Sequence, residues 1–384
     1  IKFRWEEEFK ETEIGEIPKD WEVRRASDCL EFIRGIEPGS KVYKNYGTHR
    51  FIRVGDLTGQ RREEIYIDIP VKEEDKCKLS DILITFDGTV GIVKRGFEGV
   101  FSSGIRKIKT KPKYVGEISY DFLFYFFEGT IKKQLFGFSD EKTTIAHASS
   151  SIPHLILFLP PLPEQVRIAT VLSYFDDLIE NKKKQNEILE KTAMAIFKSW
   201  FIDFEPFKDE EFVYNEELGM EIPKGWEVKR IGEIFDLIKG KKCELKEKET
   251  EGANPYLLID TFKNDYYSYW TVEKHPMIGE LDIVLVADGE SSGKVLRYKA
   301  GILGSTLFAL EQKVRKELVD LRNFLYLLLK YYEDELMEHR TGSAIPHLDK
   351  EFLENFLFYF PHYSIHQKFY SFVDPLFQKI ILNQ

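Results

Sequence analysis

The chain has 384 residues, 43% of them hydrophobic, and a formal net charge of −10, which allows two or three domains with substantial cores. No run approaches the roughly 18 consecutive apolar residues that a membrane-spanning helix needs, and no signal-peptide pattern opens the chain. Cys29, Cys77 and Cys243 are scattered and odd in number, which excludes a disulfide framework and leads us to expect a reducing, cytoplasmic setting.

In chain order, the segment IPKDWEV at 17–23 leads into a short amphipathic stretch, read as a helix ending at Gly35. A strand-like run follows at Arg50–Val54, then a buried strand at Asp81–Phe86 closed by the Asp87-Gly88 turn. Net acidity taken alone argues against nucleic acid, but binding uses one face and not the whole surface. Between Lys94 and Lys113 lie seven basic residues, Lys94, Arg95, Arg106, Lys107, Lys109, Lys111 and Lys113, with Glu98 as the one acid. A helix is predicted around Ile118–Leu135, then the polar loop TTIAHASSS, then Ile152-Pro153-His154-Leu155.

The stretch from Pro160 to Trp200 carries the most regular pattern in the chain. Ile168, Leu172, Phe175, Ile179, Lys182, Asn186, Leu189, Ala193, Ile196 and Trp200 are separated by alternating steps of four and three, the seam of a helix paired with another helix. Pro163 suits a first helical turn and Glu164 the positive end of the helix dipole. About 38 helical residues make a rod of roughly 57 Å, longer than an ordinary domain is wide.

The plan then repeats. IPKGWEV at 222–228 matches 17–23 at a shift of 205, which also carries Gly35 onto Gly240. Asp282–Leu285 matches Asp81–Ile84 at 201, with Asp288-Gly289 matching Asp87-Gly88. Phe324–Leu327 matches Phe122–Tyr125 at 202, and Ile345-Pro346-His347-Leu348 is paired with Ile152-Pro153-His154-Leu155 at 193. The second half is given strands at Tyr256–Ile259 and Asp282–Val286 and a helix around 318–339. After Pro361, the positions Phe369, Val373, Leu376 and Ile380 repeat the first seam at a shift of 201, with Pro375 as a point where the helix kinks or starts. The two seams are expected to pair antiparallel. The sequence stops near the equivalent of Lys183, so about seventeen residues matching 184–200 have no counterpart and part of the rod is expected to lack a partner.

The same residues carry no complete catalytic motif. Neither GxGxxG after a strand nor GxxxxGK[ST] occurs, and no glycine-rich S-adenosylmethionine loop is present. Asn254-Pro255-Tyr256 resembles part of an amino-methyltransferase motif but maps onto a strand start in the first half. Glu74-Asp75-Lys76 with Asp68 upstream has the outline of a metal-dependent nuclease triplet, without a match in the second half. His362 and His366 are one helical turn apart, a metal-like spacing with no evident third ligand.

The order of islands resembles the DNA-specificity subunit of type I restriction–modification systems. The resemblance rests on EIGEIPKDWEV (13–23), FIRVGDLTG (51–59), LSDILITFDGTVGIV (79–93), LPPLPEQVRIATVLSYFDDLI (159–179), ELGMEIPKGWEV (217–228), TGSAIPHL (341–348) and HQKFYSFVDPLFQKI (366–380). It implies an α+β fold: two similar globular target-recognition domains joined by long helices that pair as an antiparallel coiled coil. The expected divisions are 1–157 for the first recognition domain, 158–207 for the central spacer helix, 208–357 for the second recognition domain and 358–384 for the C-terminal spacer helix. The implied function is non-catalytic reading of double-stranded DNA with a bipartite site, one part per half, the helices fixing the spacing. Implied partners are two modification subunits and restriction/translocase subunits, which would carry S-adenosylmethionine, ATP and magnesium; no cofactor is expected on this chain. A repeated protein-interaction scaffold without DNA readout is the competing reading.

Base-reading residues need polar tips on loops with basic residues nearby. In the first half these are Thr85, Asp87, Thr89, Arg95, Ser102, Ser103 and Arg106, with Lys142, Thr143, Thr144 and His147 from the polar loop. In the second half they are Lys263, Asn264, Tyr266, Tyr267, Asp288, Ser291, Ser292, Ser305, Arg340 and Thr341. His154 and His347, shared by both halves through Ile-Pro-His-Leu, are expected to be structural.

Overall fold

The computed structural model describes residues 9–12, 15–59, 63–137, 148–263, 266–313, 320–342 and 346–384. The chain divides into two compact units, Ile1–Leu178 and Ile179–Gln384. In the first, a four-stranded antiparallel sheet runs in the order Leu30–Arg34, Ile105–Thr110, Leu83–Thr85, Val93–Lys94. A second sheet runs Ile65–Ile67, His49–Ile52, Gly99–Phe101, Lys76–Cys77, with one parallel pair in its middle. Helix α1 (Tyr120–Gly137) covers the first sheet. Leu123, Phe127, Ile131 and Leu135 recur every fourth residue on its buried face. Phe32 meets Phe86 and Phe127 edge-on, with centroids 6.2 and 6.3 Å away.

The segment before Gly35 departs from the expected helix. Ala26–Cys29 makes one helical turn, and Leu30–Arg34 is a strand, because all five of its residues pair with Ile105–Thr110. Cross-strand bonding outweighs the helical reading of a short apolar alternation. The second unit does the same with Ile231–Ile234 and Phe235–Lys239.

The second unit repeats the topology strand for strand. Its sheets run Phe235–Lys239, Leu307–Gln312, Ile283–Val286, Val295–Leu296 and Trp270–Thr271, Asn254–Leu257, Gly301–Leu303, Met277–Ile278. The duplicated glycine has a steric cause. A Cβ on Gly35 would stand 2.2 Å from the Phe101 carbonyl oxygen, and one on Gly240 would stand 2.1 Å from that of Gly304. No side chain fits where these strands cross. The expected helix over 318–339 is two shorter ones, α3 (Arg322–Tyr331) and Glu333–Glu338, broken at Tyr332.

Helix α2 runs from Leu162 to Phe201, close to the span read from its heptads. In the first unit its N-terminus is anchored by Gln165, which is 1% exposed. Its amide donates to the carbonyls of Pro160 and Glu117 and accepts from the Ser119 amide. These bonds give the Pro-Pro-Leu-Pro-Glu-Gln motif a physical role. Further along, Leu172, Phe175 and Ile179 are exposed, so this part of the seam lies open among the described residues.

In the second unit the rest of α2 pairs with α4 (Tyr363–Asn383). Trp200 and Phe201 meet Phe369, and Phe201 stacks on His366. At the other end the Asn383 side chain bonds Lys182 and Asn186. High numbers on one helix meet low numbers on the other, so the pair is antiparallel, as expected. Helix α4 starts at Tyr363 and continues through Pro375. His362 caps it, its ring accepting from the Ser364 amide at 3.3 Å.

His366 occupies the position that corresponds to Gln165, but its environment is apolar. The residue is 2% exposed among Phe201, Phe324 and Phe360, and neither ring nitrogen has a hydrogen-bond partner among the described residues. Burial pushes its pKa down to about 3. With His362 spent on a cap and His366 sealed in aromatic rings, the two do not form a metal pair.

Candidate nucleic-acid interface

The basic stretch 94–113 is largely internal. Its strand Ile105–Thr110 lies between two neighbours, so both of its edges are paired, and its first four residues are buried. Arg106 is 5% exposed. Its guanidinium donates to the carbonyls of Ser103 and Ile105 and to the Ser149 hydroxyl, at 2.6, 3.1 and 2.6 Å, and burial lowers its pKa. Lys107 donates to the Lys76 carbonyl and Lys111 to that of Ser27. Arg95 is ion-paired to Asp121 at 2.8 Å and lies over the Phe124 ring. These side chains build the domain and leave Lys94, Lys109 and Lys113 exposed. Burial of Arg106 and Lys107 on a central strand thins the basic face that counting charge suggests.

Other expected readers are also internal. Thr85 is fully buried, its hydroxyl bridging the Thr89 carbonyl and the Ile92 amide across the turn. Ser292 is fully buried. Ser102, Ser305 and Tyr267 are half-buried, Tyr267 beneath the Lys299 ammonium at 5.8 Å. Lys263 is exposed and paired with Asp260 at 3.6 Å, and Tyr266 is 63% exposed. Lys142, Thr143, Thr144, His147 and Asn264 lie outside the described residues. The nuclease-like carboxylates have local partners: Asp68 bonds Lys44 and the Thr48 amide, and Glu74 pairs with Lys72.

What the structure does bring together is the edge around each Asp-Gly turn. In the second unit Asp288 accepts from the His347 ring at 2.7 Å, and Lys239 stands 4.0 Å away on the end of its strand. Thr341 pairs with His347, Arg340 donates to the Glu290 carbonyl, and Ser291 is half-buried beside them. His347 is half exposed. In the first unit Asp87, exposed Thr89 and half-buried Ser103 share the corresponding edge. Ser103 donates to Glu37, and Arg34 occupies the place of Lys239.

The backbone bonds place the last island of the two halves in a different frame from the one the repeated tetrapeptide suggests. The Ala148 amide donates to the Phe86 carbonyl, and the Leu348 amide donates to the Ala287 carbonyl. Likewise Ala26 donates to Leu155, and Ile231 donates to Phe356. The true counterpart of Ile345-Pro346-His347-Leu348 is therefore Ile145-Ala146-His147-Ala148, at a shift of 200. Ile152–Leu155 corresponds to the helix Lys350–Asn355 and Phe356 instead. A shift of 193 against 201–205 elsewhere is the signal available in the sequence.

Two copies of one α+β module, each with a polar edge at the same turn, define a duplicated recognition protein. The family model for the type I restriction modification DNA specificity domain matches residues 18–191 and 223–384. The MjaIX specificity subunit of a type I restriction enzyme from Methanocaldococcus jannaschii is 37% identical, over 100% of this chain and 93% of its own length. The MjaVIII specificity subunit from the same organism is 30% identical over 94% of this chain and 87% of its own. A crystal structure of the S subunit of a type I system from M. genitalium has the same fold, with a TM-score of 0.53 at 18% identity, covering 94% of this chain and 91% of that one. This chain belongs to the type I restriction–modification specificity subunit family. It is a non-catalytic DNA-recognition subunit with two recognition domains. No helix among the described residues is long and apolar enough to cross a membrane.

Proposed function

We propose that each half reads one part of a bipartite duplex site through the edge around its Asp-Gly turn. The observation that carries this is the Asp288–His347–Lys239 cluster. It sits on strand ends, where polar tips are fixed by a rigid sheet while remaining accessible. A carboxylate can accept from cytosine N4, histidine can bond a base edge, and lysine can hold a phosphate. By sequence, Asp87, His147 and Arg34 hold the same places in the first half. Exposed Thr89, Arg340 and Thr341 and half-buried Ser103 and Ser291 belong to the same two edges.

The spacing of the two half-sites is set by the helices, whose seam keeps a fixed register. Two modification subunits and the restriction subunits assemble on the chain and supply the chemistry. Net acidity is compatible with this if those subunits share the phosphate contacts.

The test uses the assembled modification complex and maps methylated sites. His347→Ala and Asp288→Asn should relax one position of the second half-site and leave the first intact. Lys239→Ala should weaken binding to all sites and reduce the salt slope by about one. Relaxation of both half-sites together, or of neither, would refute the assignment. Retention of the free chain on duplex DNA that is indifferent to salt would favour the protein scaffold instead.

A further inference from the structure

The second half carries a cluster that the recognition of DNA does not use. The Cys243 thiol, a Glu273 carboxylate oxygen and a His275 ring nitrogen lie within 4.8 Å of one another. Cys243, Glu273 and His275 are each half-buried. His275 Nε2 stands 3.1 Å from one Glu273 oxygen, and the other oxygen accepts from the Glu244 amide at 2.5 Å. We propose that these three side chains bind one borderline-soft divalent ion, zinc before others, and so fasten the loop 241–253 to the segment 270–275.

The donor set fits that chemistry. Thiolate, imidazole and carboxylate together select zinc over calcium or magnesium, which prefer oxygen alone. Donors about 2.0–2.3 Å from a tetrahedral ion stand roughly 3.3–3.7 Å apart. The present separations require only rotamer adjustment of about an ångström on that geometry. The Glu244 amide already holds the carboxylate, as an outer partner does around bound metals. A water would complete a tetrahedral set.

A second observation comes from the duplication. Both halves tie the same loop to the same strand by an isolated bridge, Lys44 to Tyr66 and Lys246 to Trp270. In the first half the loop is then clamped by Asp68, which bonds Lys44 at 3.0 Å and the Thr48 amide at 2.6 Å. In the second half the place of Asp68 is taken by Val272, and Lys246 turns to Thr250. The ion pair is gone, and the three metal-type ligands stand at that same junction. One half clamps the loop with a salt bridge; the other has the ligands for a metal clamp. The fastened loop presents Lys241, Lys242, Lys246 and Lys248, all exposed.

The experiment takes the full chain, stripped with a chelator and titrated with Co(II) in place of zinc. One equivalent should bind with tetrahedral visible bands and a thiolate-to-cobalt charge-transfer band in the near ultraviolet. Zinc should then displace it. Cys29 and Cys77 are both buried, so the charge-transfer band reports Cys243. Cys243→Ser should abolish that band, and His275→Asn and Glu273→Gln should each weaken binding by at least about tenfold. Circular dichroism of each variant controls for folding. As an independent reading, zinc should slow hydrogen exchange in the loop 241–253 and leave the first-half loop at 40–48 unchanged. No stoichiometric binding, or binding and protection that survive in Cys243→Ser, would overturn the proposal. Neither outcome depends on what the chain recognises.

Discussion

His366 makes the stability of the second half depend on pH in a calculable way. Its folded pKa of about 3 lies far below the ordinary 6.5. A chain that unfolds therefore takes up a proton at any pH between those values. The sign follows: this contribution is fully present above pH 6.5 and is lost as pH falls toward 3. Each pH unit is worth about 1.4 kcal/mol, so the second half should lose about 2 kcal/mol from this residue between pH 6.5 and 4.5. Carboxylates contribute their own acid losses, so the test is a difference between wild type and His366→Leu. Leucine has similar volume and no nitrogen to leave unbonded, so at pH 7 it should be neutral or stabilising by about 1–2 kcal/mol. Urea titrations at several pH values, read by hydrogen exchange in peptides of α3 and α4, isolate the second half from the first. The gap between variant and wild type should widen steadily below pH 6.5. A gap constant from pH 7 to 4.5 would mean that the ring is solvated or bonded, and would refute the argument.

Gln165 predicts the opposite behaviour at the matching position. Gln165→Leu leaves the Ser119 amide and two carbonyls unbonded and should cost the first half about 2–4 kcal/mol, measured by the same exchange titrations, with no dependence on pH. Gly35→Ala should destabilise the first half and Gly240→Ala the second, each by about 3 kcal/mol or more; equal effects on both halves in limited proteolysis would refute the crossing argument. Deleting Ile179 to Gln185 removes one heptad, about 10 Å of helix, and should shorten the spacer in methylated sites by about three base pairs at roughly 3.4 Å each. An unchanged spacer would show that the helix is not the ruler.

The duplication was legible because strands, turns and glycines recur at nearly one shift, and each recurrence has a cause in the backbone. Gly35 and Gly240 are forced by crossing strands, and the heptads of α2 and α4 by pairing. The proposed recognition edge was less legible. Whether Arg106 faces solvent or core depends on what covers each face of Ile105–Thr110, and that is decided by strands distant in sequence. Thr85 looks like an exposed turn residue until its hydroxyl is seen closing the turn. The frame of the last island was hidden for a different reason: an identical tetrapeptide outweighs a better-spaced, less similar one. The backbone bonds to Phe86 and Ala287 correct the frame.

The pairing of the outermost strands bears on how the protein is made. In the first unit Glu22–Arg25 bonds to Ile156–Leu159, and in the second Glu227–Arg230 bonds to Leu357–Phe360. Each module is thus closed by joining nearly its first strand to its last. During synthesis, the opening strand of a half has no partner until almost all of that half has left the ribosome. The first half can close while the second is still being translated, since units of this kind fold one after another from the N-terminus. The second half cannot close in this way until Leu357–Phe360 has emerged. A premature stop before Leu357 would leave a finished first module attached to one with an open strand edge, the form most exposed to aggregation and proteolysis.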